Sequence, residues 1–131
     1  MSRPLCRISG MVVEGKRVGR TLGFPTANVR ADVPAVLPRG VFFATAETEG
    51  ARYAAIVNNG SHPTFPDGAP TVEAHLLGYQ SQLYGYAICL TYWLKMREEK
   101  RFSGAEALIA QLEKDKERAL RIARRHPELR V

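Results

Sequence analysis

The chain has 131 residues and a formal net charge of +6 at pH 7. This length suits one domain with a buried core, and a hydrophobic content of 45% is ordinary for a soluble globular protein. No apolar run approaches the roughly 18 residues that a membrane span needs, and no secretory leader opens the sequence. These features exclude a helical membrane protein. We expect a cytoplasmic protein, a monomer whose single domain covers residues 1–131.

The positive charge indicates an anionic partner but does not identify its class. An excess of this size suits a nucleotide, a nucleic acid or a membrane surface. Much of it lies in the C-terminal segment, where six Lys and Arg residues between 114 and 125 stand among Glu113, Asp115 and Glu117. Mixed charge of this kind is typical of a solvated helix face. We therefore expect small-molecule substrates, and neither a nucleic-acid nor a membrane partner.

Alternating apolar residues and turn residues predict five or six strands in the first three quarters of the chain. The first predicted strand, 5–13, leads into a glycine-rich segment, and residues 29–39 are predicted to be a connector because they include Pro34 and Pro38. Further strands are predicted at 41–48, 52–58, 71–77 and 86–96, the first two of them joined by a turn at Glu49-Gly50.

Two finer predictions concern the last strand and the segment after it. Alternation in the last strand puts five apolar side chains on one face: Ile88, Leu90, Tyr92, Leu94 and Met96. Ser103 followed by Glu106 has the spacing of a capping box, and an apolar stripe at helical spacing continues until Pro127. Short strands with tight links followed by one helix indicate a closed antiparallel barrel with a helix packed on it.

A glycine-rich basic segment follows the first predicted strand. Glycines recur at every fourth position, Gly15, Gly19 and Gly23, and basic residues lie between them: Lys16, Arg17 and Arg20. Glycine lets backbone N–H groups approach an anion closely, and the basic side chains supply positive charge. This pattern predicts a nucleotide-binding loop.

Thr26 and Asn28 follow this loop directly after Pro25. In an extended segment the two side chains point to the same side, where a hydroxyl and an amide carbonyl suit a hard cation such as Mg²⁺, or phosphate oxygens beside it. We predict a magnesium and phosphate site at Thr26 and Asn28. An ordinary polar loop with a proline turn remains the alternative.

Glu73 is the candidate general base. Alternation in the 71–77 strand puts Val72, Ala74 and Leu76 on one face, and Glu73 and His75 on the other. A carboxylate inside an apolar strand is costly to bury unless it has a partner or a catalytic task. Glu73 is placed to take a hydroxyl proton during phosphoryl transfer. The alternative is an exposed sheet face on which Glu73 and His75 meet water.

The charged segment 96–103 connects the last strand to the helix. It suits a lid in which Arg97 touches a ligand and Phe102 covers a ring. A solvated loop that ends in a helix cap explains the same residues.

Several motifs in a fixed order resemble the riboflavin kinase (flavokinase) family, in particular the kinase module of bifunctional bacterial FAD synthetases. The resemblance runs from about residue 8 to residue 115. The segments that carry it are Gly19–Asn28 (GRTLGFPTAN), Pro38–Phe42, Asn59-Gly60 with Pro63-Thr64-Phe65, Val72–Leu77, Leu83–Gly85 and Met96–Ser103.

The resemblance implies a mainly β fold, a six-stranded antiparallel Greek-key barrel at about residues 5–97 with a long C-terminal helix at about 103–126. It implies ATP-dependent phosphorylation of the riboflavin 5′-hydroxyl, which yields FMN and ADP. By similarity, Thr26 and Asn28 hold Mg²⁺ and phosphates, Glu73 is the base, and the Gly15–Gly23 loop covers ATP. The segment with Arg97, Lys100 and Phe102 covers the flavin. Since 131 residues leave no room for an adenylyltransferase module, we expect no FAD synthesis.

Two positions depart from the family pattern, and two other classes of function compete with the kinase. His62 stands where the family commonly has Arg, and Gly78 where it commonly has an acidic residue. Both changes bear on affinity more than on chemistry. The main alternative is a non-catalytic flavin- or nucleotide-binding regulatory module on the same fold. A small basic barrel for RNA or single-stranded DNA is less favoured, because the aromatic residues are scattered rather than gathered as stacking platforms.

Overall fold

The computed structural model describes residues 3–13, 27–31, 38–59, 71–78 and 85–126. These ranges contain six strands and one helix: β1 (Cys6–Val13), β2 (Ala27–Ala31), β3 (Gly40–Thr48), β4 (Ala51–Asn59), β5 (Thr71–Leu76), β6 (Ala87–Arg97) and α1 (Ala105–Arg125). The strands form a closed barrel in the order β1-β2-β5-β4-β3-β6, and every neighbouring pair is antiparallel. The predicted six-stranded antiparallel barrel with a C-terminal helix is confirmed.

Alternation along the strands divides the apolar residues between two clusters. One fills the barrel and draws on all six strands, with Phe42, Tyr92 and Leu90 among its largest buried side chains. The second lies outside the barrel, where Phe43, Ile56 and Met96 pack against Ala119 of α1. The helix therefore covers the outer face of the sheet around β3, β4 and β6, and leaves the outer face of β2 and β5 to polar side chains.

Strand β2 was missed by the sequence reading. Its five residues, Ala27–Ala31, include three that had been assigned to a proline-containing connector. Val29 and Ala31 are buried in the barrel and the residues between them are half-buried, which is the alternation expected of a strand. The sequence did not predict this strand because it is short and because prolines lie on both sides of it.

The prediction that one face of β6 carries all five apolar residues is wrong. Ile88, Leu90 and Tyr92 point into the barrel, whereas Leu94 and Met96 belong to the outer cluster. The cause is an irregularity in the pairing with β3, where Ala44 lies opposite Tyr92 but the preceding residue lies opposite Leu94. One extra residue in a strand reverses the face of the side chains after it, and a second shift between Val41 and Phe42 restores the original alternation at Arg97.

Of two predictions that concern local backbone geometry, a turn and a helix cap, one is confirmed and the other is wrong. The Glu49-Gly50 turn is confirmed, and both residues have positive φ, at 52° and 76°, as tight hairpins of this kind require. The capping box is wrong, because Gly104 is the N-cap and no side chain caps the helix. Helix α1 ends at Arg125, and within the described ranges no helix is long and apolar enough to cross a membrane.

The two cysteines of the chain, Cys6 and Cys89, lie on β1 and β6. Both are free, and each is half-buried on its strand. Burial raises the pKa of the Cys6 thiol above its ordinary value.

Candidate active site

Three polar side chains lie next to one another on adjacent strands. In the barrel, Asn28 of β2 is directly opposite Glu73 of β5, and Glu73 is directly opposite Asn58 of β4. Directly opposite residues of antiparallel strands share a face, with Cβ atoms about 4.5–5.5 Å apart. Asn28, Glu73 and Asn58 thus form a continuous line across three strands, which we call the polar row.

The polar row lies on the outer face of the barrel. The residues that follow Asn28 and precede Glu73 and Asn58, namely Val29, Val72 and Val57, are each 0% exposed and belong to the barrel core. Successive residues of a strand point to opposite faces, so the polar row points outward. All three residues are half-buried, so part of each stays exposed to solvent.

The oxygens of the polar row have no protein partner among the described residues. No side-chain hydrogen bond or ion pair of Asn28, Glu73 or Asn58 is seen there, and Oδ1 of Asn58 is buried without a donor. An unsatisfied buried acceptor costs about 1–3 kcal/mol, so its presence calls for an explanation. One carboxylate flanked by two amide groups can receive a hydroxyl proton and bind a hard cation at the same place.

The two strands that flank the predicted nucleotide loop in sequence pair beside the polar row. Strand β1 ends at Val13, which is directly opposite Asn28, and β2 resumes at Ala27. The segment between them contains the remaining predicted nucleotide and metal residues, all of which lie outside the described residues: Gly15, Lys16, Arg17, Gly19, Arg20, Gly23 and Thr26. Their assignments stay predictions. Asn28 itself is brought directly next to Glu73, as a shared site requires.

The predicted flavin segment starts in line with the polar row. Val41 of β3 is opposite both Asn58 and Arg97, so Arg97 lies two strands beyond Asn58, about 10 Å away in the sheet. Lys100 is exposed and Phe102 is half-buried in the connector before α1. The roles of Arg97, Lys100 and Phe102 toward a flavin stay predictions.

In this structure Arg97 is bound to the helix. Its Nε and Nη2 donate to Oδ1 and Oδ2 of Asp115 at 2.9 and 2.7 Å, and Asp115 is buried, with 5% of its side chain exposed. Gln111 donates to Asp115 at 3.0 Å and accepts from Lys100 at 3.2 Å. The connector between β6 and α1 is therefore held by charge-assisted hydrogen bonds at both ends.

The prediction of a solvated, mixed-charge helix face is wrong at Asp115, which is buried. The sequence carries a signal for its burial, because Asp115 falls between Leu112 and Ala119 on the same apolar stripe, at spacings of three and four residues. A carboxylate on the buried stripe of a helix needs a cation, and Arg97 supplies it.

The sequence analysis did not predict Asn58 as a site residue. A hydrogen bond of the next residue explains why the Asn58 side chain points outward. The next residue, Asn59, points into the barrel, where its Oδ1 accepts a hydrogen bond from the hydroxyl of Tyr92 at 2.7 Å. Tyr92 is 0% exposed and packs against Phe42, with ring centroids 5.2 Å apart. This buried bond fixes the end of β4, and with it the outward direction of Asn58.

Gly78 follows β5 at one of the two positions that depart from the family pattern. Its φ is 84°, and no atom lies within 4 Å of the position a Cβ would take. Glycine adopts this left-handed conformation without strain, so the departure suits the turn that the chain makes here. His62, the other departure, lies outside the described residues.

Comparisons with known proteins show which family the chain is similar to. A family model described as flavokinase, riboflavin kinase, matches residues 2–123. The chain is 38% identical over 118 residues to a bifunctional riboflavin kinase/FMN adenylyltransferase from Bacillus subtilis, covering 87% of this chain and 37% of that protein. It is also 38% identical over 109 residues to an RNA-binding riboflavin kinase, RibR, from the same organism, covering 82% of this chain and 47% of that protein.

The fold is similar to that of a solved riboflavin kinase from Trypanosoma brucei. The TM-score is 0.64 at 19% identity, and the match covers 98% of this chain and 85% of the other. The chain spans little more than a third of the length of the first curated relatives that it matches. Because the family model covers nearly all of its residues, the chain belongs to the riboflavin kinase (flavokinase) family.

Proposed function

We propose that this chain transfers the terminal phosphoryl group of ATP to the 5′-hydroxyl of riboflavin, which yields FMN and ADP. Membership of the family supports the choice of substrates. The observation that supports the chemistry is the polar row on the outer face of the barrel. In it a carboxylate, which has no partner among the described residues, lies directly between two amide side chains.

In the proposed reaction, Glu73 is the general base. A lone pair of the 5′-hydroxyl oxygen forms the new bond to the γ-phosphorus, and the bond from that phosphorus to the bridging oxygen of ATP breaks. The electron pair of the broken bond stays with ADP, and the hydroxyl proton goes to the Glu73 carboxylate. Phosphoryl transfer of this kind has a loose transition state, so Glu73 orients the hydroxyl first and takes its proton late.

We propose that Mg²⁺ is held by Thr26 and Asn28. The donor chemistry of Asn28 fits this ion, because its amide oxygen is a hard ligand on the same face as Glu73 and is not hydrogen-bonded to any described residue. Thr26 lies one residue before β2 and outside the described ranges. A bound Mg²⁺ would neutralise charge on the phosphate oxygens during transfer.

An activity assay tests this proposal directly. The protein is incubated with riboflavin, ATP and MgCl₂, and the flavins are separated by chromatography. We expect FMN to accumulate together with an equal amount of ADP, and a panel of nucleoside triphosphates identifies the preferred donor. Tight riboflavin binding without any FMN would contradict the proposal and favour a non-catalytic flavin-binding module.

A further inference from the structure

Oδ1 of Asn58 is an acceptor whose lateral neighbours cannot supply a donor. Across the sheet, Asn58 lies between Glu73 on β5 and Val41 on β3. An ionised carboxylate only accepts hydrogen bonds, and a valine side chain forms none. The atom is nevertheless buried, and no described residue donates to it. A donor from a bound ligand would satisfy it.

The order of groups across the sheet matches the order of groups along riboflavin. Asn28, the proposed magnesium ligand, lies on one side of Glu73, and Asn58 lies on the other. Beyond Asn58 come Val41 and then Arg97, where the predicted flavin segment begins. A substrate that places its 5′-hydroxyl at Glu73 and its ring near Arg97 must carry its ribityl chain past Asn58.

We propose that Asn58 is a specificity residue that binds the 4′-hydroxyl of the ribityl chain through its Oδ1, an inference that rests on the proposed function. The ribityl chain carries a hydroxyl on the carbon next to the reacting one. With the 5′-hydroxyl donating to Glu73, the 4′-hydroxyl donates to Asn58 on the adjacent strand. The two acceptors thereby fix both the position and the rotation of the reacting end.

The anchor of Asn58 supports this role. A residue that selects between substrates must be held in place by the protein, and the buried hydrogen bond between Asn59 and Tyr92 holds the neighbouring residue at 2.7 Å. Sites built to hydrogen-bond a substrate hydroxyl reject analogues that lack it, because the buried polar group is then left unpaired.

The test compares riboflavin with 4′-deoxyriboflavin, using kcat/KM for phosphorylation of the 5′-hydroxyl. We expect wild type to prefer riboflavin by about tenfold, as for loss of one hydrogen bond to a buried acceptor. Asn58→Ala should lose about tenfold on riboflavin and little on the deoxy analogue, so that the preference falls below about twofold. Asn58→Leu, which fills the space without an acceptor, should behave in the same way if the alanine variant does not fold.

Two matched variants separate recognition from general damage. Asn58→Asp keeps an acceptor oxygen and should keep the preference for riboflavin, even if its rate changes. Glu73→Gln should slow both substrates by the same factor and leave the preference intact.

The inference is overturned if wild type phosphorylates both flavins equally well, or if Asn58→Ala and Asn58→Leu keep the preference of wild type. If wild type makes FMN, only the inference fails in these cases. Absence of FMN formation by wild type would overturn the proposed function, and the inference with it.

Discussion

The hydroxyl of Tyr92 is buried in the barrel core and donates to Oδ1 of Asn59. Tyr92→Phe removes the donor and leaves a buried acceptor unpaired, so we expect the free energy of unfolding near neutral pH to fall by about 1–3 kcal/mol. Urea unfolding of the two proteins measures the difference. An unchanged free energy would show that the hydrogen bond adds nothing to stability.

The same residue links stability to alkaline pH. Burial raises the pKa of Tyr92 well above its ordinary value. Above about pH 10 the unfolded chain releases this proton while the folded chain keeps it, so the contribution is complete below that pH and is lost as the pH rises. The wild-type free energy of unfolding should therefore decline more steeply above about pH 10 than that of Tyr92→Phe. Parallel pH profiles would contradict this account.

The magnesium requirement of the reaction depends, in our proposal, on two single residues. Thr26→Ala and Asn28→Ala each remove one proposed oxygen ligand, so we expect both variants to need more Mg²⁺ for half-maximal FMN formation. The measurement is a magnesium titration at saturating ATP and riboflavin. Glu113→Gln, an exposed change on α1, is the control, and its titration should follow wild type. If Thr26→Ala and Asn28→Ala also follow it, the ligand assignment is wrong.

A buried ion pair attaches helix α1 to the barrel, in addition to apolar packing. Asp115 and Arg97 have side chains only 5% and 18% exposed, and they are joined by two short hydrogen bonds. Removing one member of such a pair leaves the other charge buried, at a cost of about 3–5 kcal/mol. Asp115→Ala should lower the free energy of unfolding by this amount.

The control for this change is Glu113→Gln, on the exposed face of the same helix. Exposed substitutions of this kind stay within about 0.5 kcal/mol. Thermal or urea unfolding compares both variants with wild type. Equal, small effects for the two variants would mean that the ion pair does not hold the helix.

At the level of elements, the sequence predicted most strands because their alternation is regular and their turns carry glycine. It failed where tertiary pairing overrides local pattern. The irregularity opposite Phe43 and Ala44 changes which side chains of β6 face the barrel core. The residues near Trp93 carry no sequence signal that predicts it. Asp115 shows the opposite case. Its spacing from Leu112 and Ala119 indicates burial, but the charged residues around it led to a prediction of exposure.

The polar row belongs to the scale of the whole molecule, because it draws on strands distant in sequence. Residue patterns singled out Asn28 and Glu73 separately, and the family resemblance assigned them to one site. Only the strand order β2-β5-β4 brings them side by side and adds Asn58. The register between strands is set by closure of the barrel, which no single segment encodes, and this is why Asn58 was missed.

The net charge of +6 also acts at this scale. The basic side chains of α1 are exposed and interrupted by acidic ones, a pattern without the aromatic platforms that single-stranded nucleic acids favour. We expect at most weak binding of RNA oligonucleotides, lost at about 150 mM salt, as screening of exposed charges requires. Fluorescence anisotropy measures it. Saturable binding that persists at this salt concentration would contradict the expectation of no nucleic-acid partner.

The central claim is that the barrel places Glu73 to accept the proton of the hydroxyl that is phosphorylated. The most direct test is the turnover of Glu73→Gln, measured together with its affinities for riboflavin and Mg²⁺-ATP. General bases contribute about 10²–10⁴-fold, so we predict a fall in kcat of this size with nearly unchanged affinities. Near-wild-type turnover in the variant would contradict the claim.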